Sequence, residues 1–192
     1  MTTEDRHPAV FLDRDGTLIE DVHFPRRVDD LHILAGVPEA LRSLRDAGYR
    51  LIVLTNQSGI ARGYLTERTL QEMHAHLLER LGAQGASLDA FYYCPHHPTE
   101  GSPPYRTECE CRKPAPGLMR RAESDWNIDL SRSFVVGDTL RDLKIAGDTG
   151  CQRILVRTGK GEESERELEA EPGLADHVCD GLLDAANWIL GH

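Results

Sequence analysis

The sequence predicts an α/β fold, a Rossmann-like parallel sheet with helices on both faces. Three observations predict the sheet. Short apolar runs alternate with helical stripes along most of the chain, which is the pattern of a parallel sheet covered on both sides. Several of those runs stop abruptly at carboxylates, hydroxyls or amides, as strands do at the edge where α/β folds place their chemistry. The 192 residues suffice for one well-buried domain and are short for two, so a single domain over 1–192 is expected.

The elements follow in order. The first strand, 9–12, ends in Asp13-Arg14-Asp15-Gly16-Thr17. Val37, Ala40, Leu41, Leu44 and Ala47 recur on one helix face, and Gly48 supplies its stop. The second strand, 50–55, leads to the stripe Leu70, Met73, His74, Leu77, Leu78 and Leu81, with Thr66 as N-cap. His74, inside that stripe, reads as a packed, hydrogen-bonded core histidine. A third strand, 90–93, precedes the helix of Leu118, Met119, Ala122 and Trp126, entered through Pro116. Further strands are expected at 133–137, 153–157 and, more weakly patterned, 177–179. The acidic stretch 161–172 reads as a solvated loop or surface helix without a function of its own.

Composition narrows the partners. Hydrophobic residues make up 40% and charged residues 28%, ordinary for a globular protein. The formal charge of −10 disfavours a nucleic-acid backbone, since no broad basic face is available to displace counterions. A small phosphorylated molecule needs only a few placed cations and remains open. The polar N-terminus lacks a signal-type apolar core and no run approaches membrane-spanning length, so a cytoplasmic protein with no membrane partner is expected. Five cysteines, three of them clustered at Cys94, Cys109 and Cys111, suit a reducing compartment and a metal site better than a disulfide framework.

Four segments carry the chemistry. Asp13 and Asp15 share one tight loop and can divide labour: one attacks or holds a cation, the other moves protons. The second strand ends in Thr55-Asn56-Gln57-Ser58-Gly59, and the fourth in Asp138-Thr139-Leu140-Arg141-Asp142. Arg112-Lys113-Pro114 lies just ahead of the third helix. Strand ends of one parallel sheet face the same way, so Asp13, Asp15, Thr55 and Asp138 can meet, with Lys113 joining them. Crowded carboxylates need a cation, and hard oxygen ligands with open positions suggest Mg²⁺. A hydroxyl and a lysine beside it suit a phosphoryl group, so a phosphate ester is the inferred substrate class.

This set resembles the haloacid dehalogenase superfamily of phosphohydrolases, in the right order from Val10 to Gly159. Within it, Thr55-Asn56-Gln57-Ser58-Gly59-Ile60-Ala61-Arg62-Gly63 and Cys94-Pro95-His96-His97 with Cys109-Glu110-Cys111 resemble the heptose 1,7-bisphosphate 7-phosphatase branch, with histidinol-phosphate phosphatases as near relatives. The resemblance implies a Mg-dependent phosphoric monoester hydrolase. Asp13 would be the nucleophile, forming an aspartyl-phosphate, and Asp15 the acid and then the base. Thr55 and Lys113 would stabilise the phosphoryl group. The Asp13 carboxylate, the Asp15 backbone carbonyl and Asp138 would hold Mg²⁺, with Asp142 orienting a ligand or Lys113.

Cys94, His96, Cys109 and Cys111 offer three thiolates and an imidazole, a set suited to structural Zn²⁺ with no open position. His97 fits as well as His96 on sequence grounds; the resemblance favours His96. Zinc would close the loop 94–111 and fix the backbone just before Arg112 and Lys113. Too little chain separates Gly16 from the helix near Val37 for a cap, so specificity should come from loops. Asp21, His23, Asn56, Gln57, Ser58, Arg62 and Arg112 are the candidate substrate-binding residues, the two arginines for a second phosphate. The expected substrate is a small phosphorylated sugar, D-glycero-D-manno-heptose 1,7-bisphosphate, with histidinol phosphate as the alternative. A phosphorylation-dependent signalling module is opposed by Asp15, which would shorten the life of the intermediate. Thr139, where some members of the branch carry lysine, leaves the anomer open. A small capless domain needs no second copy, so a monomer is expected.

Overall fold

The computed structural model describes residues 6–192. The polar run 1–5, part of the N-terminus read above for a signal-type core, lies outside the described residues. Strands β1 (Ala9–Leu12), β2 (Arg50–Asn56), β3 (Ala90–Cys94), β4 (Phe134–Gly137), β5 (Gln152–Val156) and β6 (His177–Cys179) form one parallel sheet in the order β3-β2-β1-β4-β5-β6. The helices are α1 (Val37–Asp46), α2 (Glu67–Gly82), α3 (Gly117–Trp126), α4 (Leu140–Lys144), α5 (Gly161–Glu167) and α6 (Leu182–Leu190).

Every residue of β1 is buried, yet its side chains alternate between two cores. Val10 and Leu12 join Leu41 and Leu44 of α1, Leu70 and Met73 of α2, and Ala186 and Ile189 of α6. Ala9 and Phe11 join Leu118 and Met119 of α3 and Leu143 of α4 on the other face. Burial on both faces is why these strands read as unbroken apolar runs. The chain leaves β1 toward β2 and β3 on one side, then returns to place β4 on the other. The connections therefore diverge above the carboxyl ends of β1 and β4, and open a crevice there.

Expected and observed elements agree, with boundary shifts of a residue or so. β2 and β3 each run one residue further because Asn56 pairs with Cys94, which brings the first cluster cysteine to the sheet edge. Thr66 caps α2, its hydroxyl accepting from the Thr69 amide at 3.1 Å. The stretch 161–172 opens with α5 and a 3-10 turn at Leu168–Ala170. Two helices had no counterpart in the sequence reading. α4 is too short to show a period, whereas α6 does carry one in Leu182, Ala185, Ala186 and Ile189. The connection from β1 to α1 holds only a 3-10 turn at Val28–Asp30 and short bridges, so no cap covers the crevice among the described residues.

Candidate active site and metal centre

The crevice is built outward from the end of β1. The Asp13 amide donates to the Val136 carbonyl at 3.0 Å, which extends the β1–β4 ladder and pins the residue at the sheet edge. Gly16 then turns the chain at φ +87°, where a Cβ would lie 2.1 Å from Asp138 Oδ2. Only glycine lets the first loop approach the β4 carboxylate so closely. Asp138 Oδ2 in turn accepts from the Lys160 amide at 2.8 Å.

Lys113 reaches this edge from before α3 and is nearly fully buried. Its Nζ donates to Asp13 Oδ1 at 2.6 Å and to the Leu54 carbonyl at 2.6 Å, and pairs with Asp142 Oδ1 at 2.7 Å. Asn56 clamps the lysine backbone reciprocally, its Nδ2 donating to the Lys113 carbonyl and its Oδ1 accepting from the Lys113 amide. Asp142 is set by a capping box at the start of α4: its Oδ2 accepts from the amide and hydroxyl of Thr139. Burial works against the Lys113 charge, but Asp13 and Asp142 outweigh it and raise its pKa, so the ammonium persists.

The carboxylates are in excess. Acceptor atoms of Asp13, Asp138 and Asp142 lie within 4.8 Å of one another, and Lys113 pairs with two of them, Asp13 and Asp142. Burial, and then the Asp142 charge, push the Asp138 carboxyl up to about 7, against the Lys160 amide. Burial also raises Asp13, with Lys113 opposing the rise and Asp142 and Asp138 adding to it. When all three carboxylates are ionised, as ligands to a cation would be, one ammonium leaves an excess of two negative charges, which a divalent cation with oxygen ligands matches.

Beside them, Thr55 at the end of β2 is buried, and its hydroxyl accepts from Gln57 Nε2 at 2.8 Å. The same Nε2 donates to Asp15 Oδ2 at 2.9 Å. The mouth of the crevice, a cleft of about 280 Å³, is lined by Asp21, His23, Ser58, Arg62, Arg112, Arg141 and Lys160 among others. Lys160 Nζ pairs with Asp21 Oδ2 at 3.1 Å across that mouth.

A second cluster stands at the end of β3. Cys94 Sγ lies 3.6 Å from Cys109 Sγ, Cys109 Sγ 3.3 Å from Cys111 Sγ, and His96 Nδ1 3.3 Å from Cys111 Sγ. These distances suit the edges of a ligand tetrahedron, and three thiols and an imidazole with all donor atoms within 4.8 Å of one another could hold a metal ion. The choice left open by the sequence falls to His96. His97 turns away, its Nε2 3.4 Å from Arg62 Nη2 in the cleft. The loop lies against the 58–62 turn, where a Cβ on Gly101 would meet the Ala61 carbonyl at 1.8 Å. Arg112 Nη1 donates to the His96 carbonyl at 3.1 Å, so the backbone of the Cys/His cluster is tied to a side chain that lines the cleft.

Known proteins are similar to this chain over most of its length. Residues 10–90 match a family model described as haloacid dehalogenase-like hydrolase, and residues 110–185 match one described as HAD-hydrolase-like. The chain is 44% identical over 183 residues to the D-glycero-beta-D-manno-heptose-1,7-bisphosphate 7-phosphatase of Haemophilus ducreyi, covering 94% of this chain and 97% of that one. The chain belongs to the haloacid dehalogenase-like hydrolases. The Escherichia coli K12 protein of the same name is 40% identical, covering 95% of this chain and 93% of that one. A D,D-heptose 1,7-bisphosphate phosphatase from B. bronchiseptica, solved with magnesium and phosphate, superimposes with a TM-score of 0.83 at 35% identity, over 96% and 98% of the two chains.

In this hydrolase the structure brings Asp13, Asp15, Thr55, Lys113 and Asp138 to one edge, and Asp21, His23, Ser58, Arg62 and Arg112 to its rim. Asn56 and Gln57 line the same cleft, but their amides are engaged with Lys113, Asp15, Thr55 and Arg14. The sequence reading passed over three cations. Arg141 stood in the Asp138–Asp142 run and could have been found there, since it follows the strand end by four residues. Lys160 carries no local signal: it lies in the short β5–α5 connection, just ahead of the acidic stretch 161–172, outside any run or motif. Arg14 was hidden by the two aspartates that flank it. No helix among the described residues is long and apolar enough to cross a membrane.

Proposed function

We propose that the whole chain is one phosphatase domain that removes the 7-phosphate of D-glycero-D-manno-heptose 1,7-bisphosphate through an aspartyl-phosphate. The observation that carries the reading is Asp13, paired with Lys113 at 2.6 Å inside a carboxylate cluster and two residues before Asp15. An Asp13 oxygen forms the bond to phosphorus as the bond from phosphorus to the sugar oxygen breaks. Asp15 gives that oxygen its proton. Asp15 then takes a proton from water, whose oxygen attacks phosphorus, and inorganic phosphate leaves as the Asp13 carboxylate is restored. Thr55 and Lys113 donate to the phosphoryl oxygens throughout.

The Asp13 carboxylate, the Asp15 carbonyl and Asp138 are the residues that would hold Mg²⁺, which when bound supplies charge to offset the phosphoryl oxygens. Cys94, His96, Cys109 and Cys111 would hold Zn²⁺ in a closed, structural site that orders the backbone entering Arg112 and Lys113. Arg112 and Arg62, joined by Arg141 and Lys160, give the cleft a cationic side suited to a second phosphate. The Arg62 Nε is buried with no hydrogen-bond partner among the described residues, a donor left for a ligand. The relatives are named for the β anomer, and we assign the same one. The cleft is complete within one chain, which supports a monomer, and cysteines grouped as a metal-ligand set rather than as a disulfide framework support a cytoplasmic setting.

Initial rates of phosphate release test this on both anomers of the heptose bisphosphate, histidinol phosphate and a 3′-phosphorylated oligonucleotide. The β anomer should be fastest, and Asp13→Asn should abolish release while leaving the melting temperature within a few degrees of wild type. Equal rates on all four, or a turning-over Asp13→Asn protein, would refute the assignment.

A further inference from the structure

Arg14 stands between the two catalytic aspartates and is fully buried, a position a cation holds only when its donors are satisfied. Its guanidinium faces three partners. Nε and Nη2 donate to Asp15 Oδ2 and Oδ1 at 3.0 and 2.9 Å, a bidentate pair. Nη2 also donates to Gln57 Oε1 at 3.0 Å. Nη1 lies 3.2 Å from His74 Nε2.

His74 is thus more than a filler of the α2 stripe. Its ring stacks on Phe91 with centroids 4.2 Å apart and planes 18° apart. Burial, and then the neighbouring Arg14 charge, hold its pKa down to about 3. The ring is therefore neutral, and Nε2 offers Arg14 a lone pair. Gln57 completes the frame by donating to Asp15 Oδ2 and Thr55 Oγ1 while accepting from Arg14. Asp15 is aimed by a scaffold that runs back through Arg14 into a helix 60 residues away in sequence.

We propose that Arg14, anchored by His74 and Gln57, is the positioning residue that sets the Asp15 carboxylate for proton transfer to the leaving oxygen. This rests on the phosphatase reading above, in which Asp15 is the acid. Its consequence depends on the leaving group. A sugar oxygen is too basic to depart unprotonated, whereas p-nitrophenolate departs without help, so misaiming Asp15 slows the first step for the sugar ester alone. A purely structural Arg14 would lower both together.

Single-turnover rapid-quench measurements with heptose 1,7-bisphosphate and p-nitrophenyl phosphate separate the two. They would compare wild type, Arg14→Lys, His74→Leu and His74→Gln, with a melting curve for each. Arg14→Lys and His74→Leu should slow phosphorylation by the sugar ester about 10–100-fold while the p-nitrophenolate burst stays within about threefold. His74→Gln, whose side-chain oxygen again accepts from Nη1, should recover most of the loss. The two His74 variants keep the test decisive even if Arg14→Lys does not fold. Equal losses on both esters, no loss, or no recovery in His74→Gln would overturn the inference. A wild type that turns over histidinol phosphate but not the heptose ester overturns the assigned substrate alone, and the same ratio is then read with histidinol phosphate. A wild type inactive on every ester overturns both.

Discussion

Replacing Lys113 with methionine should cost this hydrolase both stability and chemistry, and the structure sets the scale. The side chain is 3% exposed, so its length fits methionine, but three acceptors lose their donor at once: Asp13 Oδ1, Asp142 Oδ1 and the Leu54 carbonyl. Removing one partner of a buried ion pair costs about 3–5 kcal/mol, because the charge left behind is uncompensated. In a protein of this size each kcal/mol lowers the melting temperature by roughly 2–4 °C, so a drop of about 6–20 °C is expected. The linkage has a definite sign. The folded-state pKa of Lys113 is raised, so its contribution is fully present below the ordinary lysine pKa and fades only as pH rises through the folded value. The deficit should therefore persist across the neutral range. Urea titrations and melting curves at pH 8 without divalent metal measure it, and phosphate release measures the chemistry, with at least ~10²-fold lost from kcat. A variant that melts within 2 °C of wild type, or turns over within about tenfold of it, would refute the placement of Lys113 as counter-ion and phosphoryl donor.

Three further outcomes follow from the same geometry. Asp138 has a raised folded-state pKa of about 7, so without metal its burden is absent below the ordinary carboxylate range and grows as pH rises toward 7. The melting temperature of Asp138→Asn minus that of metal-free wild type should accordingly increase from pH 4 to pH 7, and a flat difference would contradict it. Stripping zinc with a chelator should release about one equivalent of metal, lower the melting temperature and raise KM, because the cluster holds the backbone before Arg112; an unchanged melting curve with unchanged KM would count against the assignment. Arg112→Ala should raise KM for the bisphosphate by about tenfold or more while changing KM for p-nitrophenyl phosphate little, as expected for a charge-assisted contact to a distant phosphate. Equal effects on the two substrates would remove Arg112 from that role.

Much of the site was legible because it sits at strand ends. Asp13, Thr55 and Asp138 each follow an apolar run directly, and the parallel sheet carries all three to one edge. The thiol cluster was legible by residue type. Its histidine was not settled by spacing, because His96 and His97 are adjacent and only the path of the loop decides which ring meets Cys111. α4 escaped notice because five residues cannot display a helical period, although its capping box sets Asp142 against Lys113.

The residues themselves determined the α/β class, the strands and the chemistry of the catalytic loop, since periodicity and strand-end chemistry are local properties of the chain. Tertiary structure decided the partners. Lys113 meets Asp13 from 100 residues away, and His74 meets Arg14 from 60, distances over which no periodic signal persists. His74 shows the division most plainly: the apolar stripe marked it correctly as a core residue, and only packing turned its free lone pair toward the cation that aims Asp15. What a buried polar group does depends on which neighbour satisfies it, and in this fold that neighbour is chosen by the docking of α2 on β1.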